Sequence, residues 1–210
     1  MDTTIKNIEM ALARSVCQGW DRTFLTSILG TLEESSSLTT KQSQTLKQVL
    51  TRSTSEEETA HHKWSPEFRT EHQKTALVLA HYHIRHRYYD DIAQIILAGG
   101  VPLKGRYMRM HNNKYSQKVI REFEQAPRLA LGTHVYPRSG FNKFKHVEQS
   151  FLGDYESERR SIERFIKDGA FIVGVEEYIV SAARGATRYR LLSPGSRHIF
   201  LIEERFLKRV

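Results

Sequence analysis

Cysteine is almost absent from this chain. Cys17 stands alone among 210 residues. It cannot form an internal disulfide, which excludes a disulfide-stapled secreted domain. Long apolar runs are also missing: none approaches the ~18 residues needed to cross a bilayer, and no membrane partner is expected. The first twenty residues include Asp2 and Glu9 and lack a continuous apolar h-region, so they do not read as a signal peptide. A cytoplasmic protein is the expectation. The catalytic short motifs are missing as well. There is no Gly-x-Ser-x-Gly and no His-Glu-x-x-His, and Gly99-Gly100 has no Gly-Lys-Ser or Gly-Lys-Thr after it.

What is present is charge. Lys and Arg number 32 and Asp and Glu 24, a net of +8. With 27% charged and 10% aromatic residues the chain has the composition of a folded protein. Its length allows one large domain or two of roughly 100 residues. The excess charge is local. Residues 1–50 net 0, 51–100 net −1, 101–150 net +7 and 151–210 net +2. Between Lys104 and Arg121 there are six basic residues and no acid. A clustered excess builds a local field that a scattered one does not, and points to phosphate.

The first half has helical spacing. Ile5, Ile8, Leu12 and Val16 recur three or four apart. Asp21 is a candidate cap for a helix carrying Phe24, Leu25, Ile28, Leu29 and Leu32, and Thr39 or Thr40 for one carrying Leu46, Val49 and Leu50. A turn over 33–37 joins them into a hairpin. Residues 51–66 are polar and hold Pro66, so an exposed linker is expected there. Helices are predicted at about 66–86, at 88–97 and from Lys104 to Glu124, with Ala98-Gly99-Gly100-Val101-Pro102 as a stop. The layout around Phe24 to Leu50 echoes that around Tyr88 to Ile120. Two helix–turn–helix units of one design explain this, and so does the general likeness of amphipathic hairpins.

After Pro127 the pattern changes to short strands. The candidates are 132–136, 170–175, 186–192, 198–202 and 206–210, with Pro194-Gly195 as a turn. The expected fold class is α+β, with a domain at 1–126 of helical hairpins and a domain at 127–210 of β barrel type. A charged, partly helical insertion occupies about 141–168, with Tyr155, Ile162, Phe165 and Ile166 as its apolar residues.

The order Gly132-x-x-Val135, Gly-x-Val strand, tyrosine strand, turn, apolar strand and Glu-Arg-x-Leu-Lys-Arg-Val ending resembles the SH3-like barrels of nucleic-acid, translation and transcription accessory proteins. The resemblance implies a short helical turn at Glu203–Phe206 before a last strand. Phe24-Leu-x-Ser-Ile-Leu with Leu38-Thr-x-Lys-Gln resembles a helical hairpin in phage and mobile-element proteins, and Asn113-Lys-Tyr-x-Gln-Lys-Val119 a segment of uncharacterised phage proteins. Both imply a phage-like setting and, for a phage-encoded protein, the host cytoplasm.

Candidate chemistry follows from these patterns. On one helix starting at Lys104, itself a candidate, Arg106, Arg109, Asn113, Lys114, Gln117, Lys118 and Arg121 share a broad side, with Tyr107, Met110 and Val119 toward the core and Tyr115 there or at its edge. Lys and Arg neutralise phosphates, and Asn and Gln bond base edges. The same basic side fits the acidic stretch Glu56-Glu57-Glu58 equally well. Arg138, Lys143, Lys145, Arg188 and Arg190 extend the candidate surface into the barrel, Arg188 and Arg190 on one strand face. Ten histidines raise a metal question, chiefly His81, His83 and His86 with His61, His62 and His72. His81 and His83, two apart, point to different sides of a helix, so no metal and no cofactor is expected. The expectation is therefore a non-enzymatic accessory or regulatory protein bound to DNA or RNA. A factor that binds a host or phage enzyme such as a polymerase, nuclease or ribosome-associated protein is the alternative, and a histidine-dependent metalloenzyme a further one.

Overall fold

The computed structural model describes residues 2–34, 37–147 and 155–209. Ser35 and Ser36 of the expected turn, the middle of the expected insertion and Val210 lie outside the described residues. The fold is mixed α+β. It divides into two compact units, Met1–Asn112 and Asn113–Val210, whereas the sequence boundary stood at 126/127.

The first unit is helical. Helices α1 (Asp2–Leu12), α2 (Trp20–Glu34) and α3 (Thr40–Arg52) enclose a core of Ile8, Ala11, Cys17, Leu25, Ile28, Leu32, Leu46 and Val49. Thr39 caps α3 through a complete capping box with Gln42. Its hydroxyl accepts the Gln42 N–H, and the Gln42 side chain accepts the Thr39 N–H.

Residues 55–67 form helix α4 (Ser55–Glu67) rather than a loop. Thr54 accepts the Glu57 N–H, and Glu56, Glu57 and Glu58 fill the first turn. A capping threonine followed by three negative charges at the positive end of a helix offsets weak intrinsic propensity. The helix is anchored by its few apolar contacts: Trp64 and His61 are buried, and the indole N–H donates to the Pro102 carbonyl at 2.8 Å. A π-helical turn, Phe68–His72, carries the chain straight into α5 (Gln73–His86).

A tight connection with Arg87 and Tyr89 both at positive φ leads to α6 (Asp90–Leu97). Gly99-Gly100 ends it. Gly99 adopts φ +76°, and a Cβ on Gly100 would stand 2.9 Å from the Ile95 carbonyl oxygen. The glycine pair is therefore required by the backbone. Helix α7 (Lys104–His111) closes the unit.

The second unit opens with α8 (Lys114–Glu124). Strand β1 (His134–Pro137), α9 (Lys143–His146), α10 (Tyr155–Asp168), β2 (Ala170–Val175), β3 (Arg188–Leu192) and β4 (Ile199–Glu203) follow. A 3-10 turn at Glu204–Phe206 precedes β5 (Leu207–Arg209). The strands form one antiparallel sheet in the order β4-β3-β2-β1-β5. The sheet is open, with β4 and β5 as its edges. A bulge between Ile172 and Gly174 shifts the β2–β3 register.

One sheet face holds the core: Val135, Ala170, Ile172, Tyr189, Leu191, Phe200, Ile202 and Leu207, with Phe165 of α10 and Leu129. The α10–β2 turn uses Gly169 at φ +78°, where a Cβ would stand 2.8 Å from the Val135 carbonyl oxygen. The Tyr189 hydroxyl accepts the Leu129 N–H and donates to Glu204, each at 3.1 Å. Glu122 of α8 is buried and its carboxylate accepts the Gly185 N–H at 2.8 Å. Glu122→Ala orphans that donor and is expected to destabilise this unit by about 1–3 kcal/mol in urea unfolding, with Glu122→Gln recovering most of the loss.

Candidate nucleic-acid interface

The expected single helix from Lys104 to Glu124 is two helices. The chain leaves α7 at Asn112, and Asn113 turns extended with ψ 141°. The Asn113 side-chain oxygen accepts the Tyr115 N–H at 2.9 Å. Asparagine is among the strongest N-caps, so Asn113 starts a new helix where periodicity alone ran on. Asn113 is thus held by its own backbone. The candidate basic residues fall in separate units: Lys104, Arg106 and Arg109 in the first, the others in the second.

In the first unit two of the three cations meet carboxylates. Lys104 Nζ lies 3.0 and 3.2 Å from the two Glu67 oxygens and 4.9 Å above the Trp64 ring. Arg106 pairs with Asp91. These contacts neutralise much of the field that the local count implied. The acidic partner is thus Glu67 at the far end of α4. Arg109 is exposed.

Helix α8 differs. Ser116, Val119 and Ile120 pack inward, and Lys114, Tyr115, Lys118 and Arg121 are exposed. Among the described residues no carboxylate lies within ion-pair distance of these three cations. Tyr115 is 47% exposed, at the edge of the helix rather than in the core. The ammonium groups of Lys114 and Lys118 lie 5.0 and 5.8 Å from its ring centre. Its position on the helix, about 100° from Ser116 and on the side of Lys118, explains this. Gln117 is half-buried beside them.

The remaining candidates divide again. Arg138 is exposed, but its Nε donates to the Leu207 carbonyl at 2.6 Å, tying β1 to β5. Lys143 opens α9, its side chain outside the described ones, and Lys145 is exposed. Arg190 is exposed and reaches Glu176 at 3.4 Å. Arg188 departs from expectation. It is only 8% exposed, and its Nε donates to the Tyr178 carbonyl at 3.2 Å. Alternation gave its strand face correctly, but the 176–187 connection folds over that end of β3.

Of the histidines of the metal question, His83 and His61 are buried. His83 is buried against Tyr82 and Tyr89. Burial, with some help from His86, lowers its pKa to about 4, and Asp90 opposes the shift. Burial also lowers the pKa of His61. A different group comes together where the π turn widens the helix: Glu67, Glu71 and His72 hold ligand-type atoms within 4.8 Å of one another. Sequence reading missed it because regular helix spacing does not align residues five apart. Of this group, Glu67 pairs with the Lys104 ammonium.

Sequence reading also missed a row of outward-facing apolar and aromatic residues on the sheet. Phe171 and Ile199 are 42% exposed and Val173 is 41% exposed. The signal was the continuous apolar run Ala170-Phe171-Ile172-Val173, which reads as a strand buried on both faces.

Family models, curated proteins and solved structures give no match to the chain. What stands is a helical unit and an antiparallel-sheet unit in one α+β chain. Among the described residues no helix is long and apolar enough to cross a membrane.

Proposed function

We propose that this protein is a non-enzymatic nucleic-acid-binding accessory or regulatory factor of phage or mobile-element type, at work in the cytoplasm. The observation that carries the reading is the exposed face of α8: Lys114, Lys118 and Arg121 around an exposed tyrosine, with no carboxylate partner among the described residues. Free cations gain most from phosphate, because no internal ion pair must be broken first. The charge balance supports it. Residues 113–210 hold 18 basic and 12 acidic residues, net +6 of the total +8.

An SH3-like reading of the sheet unit belongs to the same proposal. The strand order and the 3-10 turn just before β5 support it. Such small β units serve as nucleic-acid or protein docking modules.

The test is fluorescence anisotropy with labelled 20-residue DNA and RNA probes from 50 to 200 mM KCl. Three phosphate contacts from α8 give a log–log salt slope of about −2 to −3, steeper with further contacts. No binding at 50 mM KCl would sink the proposal.

A second reading, a factor that docks on a host or phage enzyme, has its own observation in the first unit. Trp20 is 53% exposed at the start of α2 and lies flat on Phe24, centroids 4.9 Å apart. Exposed tryptophan is a common anchor of protein interfaces. A stoichiometric protein partner that survives nuclease treatment and is lost in Trp20→Ala belongs to this reading.

A further inference from the structure

We propose that the outer face of the five-stranded sheet is a stacking platform for unpaired nucleic-acid bases. The inference rests on the nucleic-acid reading above and names its substrate class: single strands rather than duplex.

The platform is built by register. Val135, Ala170, Leu191 and Phe200 point into the core, so their neighbours His134, Phe171, Leu192 and Ile199 point out. Those four stand opposite one another across β1, β2, β3 and β4. They form one continuous row.

At the centre the His134 ring lies nearly parallel to Phe171, 4.6 Å centroid to centroid and tilted by 20°. His134 is locked there, since its Nε2 donates to the Asp168 carbonyl at 3.0 Å. Tyr136, two residues along the same strand, places its ring 5.0 Å from that of His134. The outward surface is thus aromatic and pre-organised rather than a scatter of single apolar residues.

The occupant is argued from charge. Lys208 of β5 stands opposite Tyr136 in the register, on the same face. On the other side Arg190 of β3 lies over Gly174, where a Cβ would meet its Cδ at 3.1 Å. Cations therefore border the aromatic strands β1 and β2 on both sides, three strand spacings (about 14 Å) apart across the sheet and four residues apart along it, so that they face each other diagonally across the row. Arg190 is half exposed and donates through both Nε and Nη2 to the largely buried Glu176 carboxylate at 3.4 Å. Two of its five N–H donors are used there, so the half-exposed guanidinium keeps others for a phosphate.

An apolar π surface between two cations matches a strand whose bases present faces and whose backbone presents anions. A duplex hides its base faces in its own stack, so only unpaired bases can use it. Both unpaired RNA and unpaired DNA carry this chemistry.

The experiment uses the full chain with 15-residue single-stranded RNA, the same sequence as DNA, and the corresponding duplex. Each single strand carries one 2-aminopurine. Binding is expected to quench 2-aminopurine and to favour single strand over duplex. Phe171→Ala is expected to weaken single-strand binding about tenfold, to abolish the quench and to leave the salt slope unchanged. Phe171→Trp should retain both affinity and quench. Phe171 is exposed, and unchanged thermal unfolding of both variants checks that the fold is intact.

Equal affinity of Phe171→Ala and wild type, or a preference for duplex, overturns the platform while leaving the cationic helix standing. Failure of the wild type to bind any probe at 50 mM KCl removes the platform and the proposed function together.

Discussion

Replacing Lys114, Lys118 and Arg121 with glutamate together is expected to abolish nucleic-acid binding, a loss of more than about 100-fold at 50 mM KCl. Three favourable phosphate contacts become three repulsive ones, and the helix face changes by six charges. All three side chains are exposed, and α8 stays anchored by Val119, Ile120 and the Glu122 bond to Gly185. The fold should therefore survive, which circular dichroism and thermal unfolding check. The matching control is Lys104→Glu with Arg106→Glu, where native pairing with Glu67 and Asp91 leaves little field to lose. If the control weakens binding as much as the α8 variant, α8 is not the contact surface. The comparison separates a local charge effect from a general change in net charge, since both sets reverse exposed or half-exposed cations.

Acid is expected to destabilise the first unit through His83. Its pKa is lowered from an ordinary 6.5 to about 4 in the fold. The folded state therefore holds the ring neutral while the unfolded chain takes up a proton. Between pH 6.5 and 4 the unfolded state binds more protons, so stability falls as pH falls through that window. The full shift is worth about 3 kcal/mol, all of it present above pH 6.5 and lost below pH 4. His86 contributes to the shift and Asp90 opposes it. The buried His61, lowered in the same direction, adds to the effect. Both tryptophans, Trp20 and Trp64, lie in the first unit, so tryptophan fluorescence during urea unfolding reports on it selectively. Wild type should lose several kcal/mol between pH 7.5 and pH 4.5. His83→Gln, which cannot titrate, should show a loss smaller by about 2–3 kcal/mol. Equal losses in the two proteins would mean that His83 is not the acid-sensitive group.

These two expectations draw on different levels of information. The three cations of α8 were legible as residue types in an acid-free stretch. Their freedom from carboxylates was not, because it depends on which elements pack beside them. Lys104 and Arg106 sit in the same stretch and meet Glu67 and Asp91, 37 and 15 residues earlier in the chain. No local pattern announces such partners. His83 lay on an expected helix, but its burial against Tyr89 depends on the chain folding back after a turn with two left-handed residues.

Secondary structure shows the same division. The five strands were legible from alternation, glycine and proline, and the Thr39 cap from its residue type. The α4 helix was not, since its apolar content is low and its cap at Thr54 was not read from the polar stretch. The break at Asn112–Asn113 was passed over because periodicity on either side is nearly in phase. Capping chemistry, not hydrophobic pattern, decides both places.

By itself the sequence determined where residues alternate, where helices recur, which termini are capped and how much charge each stretch carries. These follow from covalent geometry and side-chain chemistry over a few neighbouring residues. Only the tertiary structure decided which cations keep their charge for a partner, that Arg188 is covered by the 176–187 connection, and that His134, Phe171, Leu192 and Ile199 align across four strands. Pairing register and ion pairing join residues distant in the chain. Their energies depend on burial and separation, which exist only once the elements have packed.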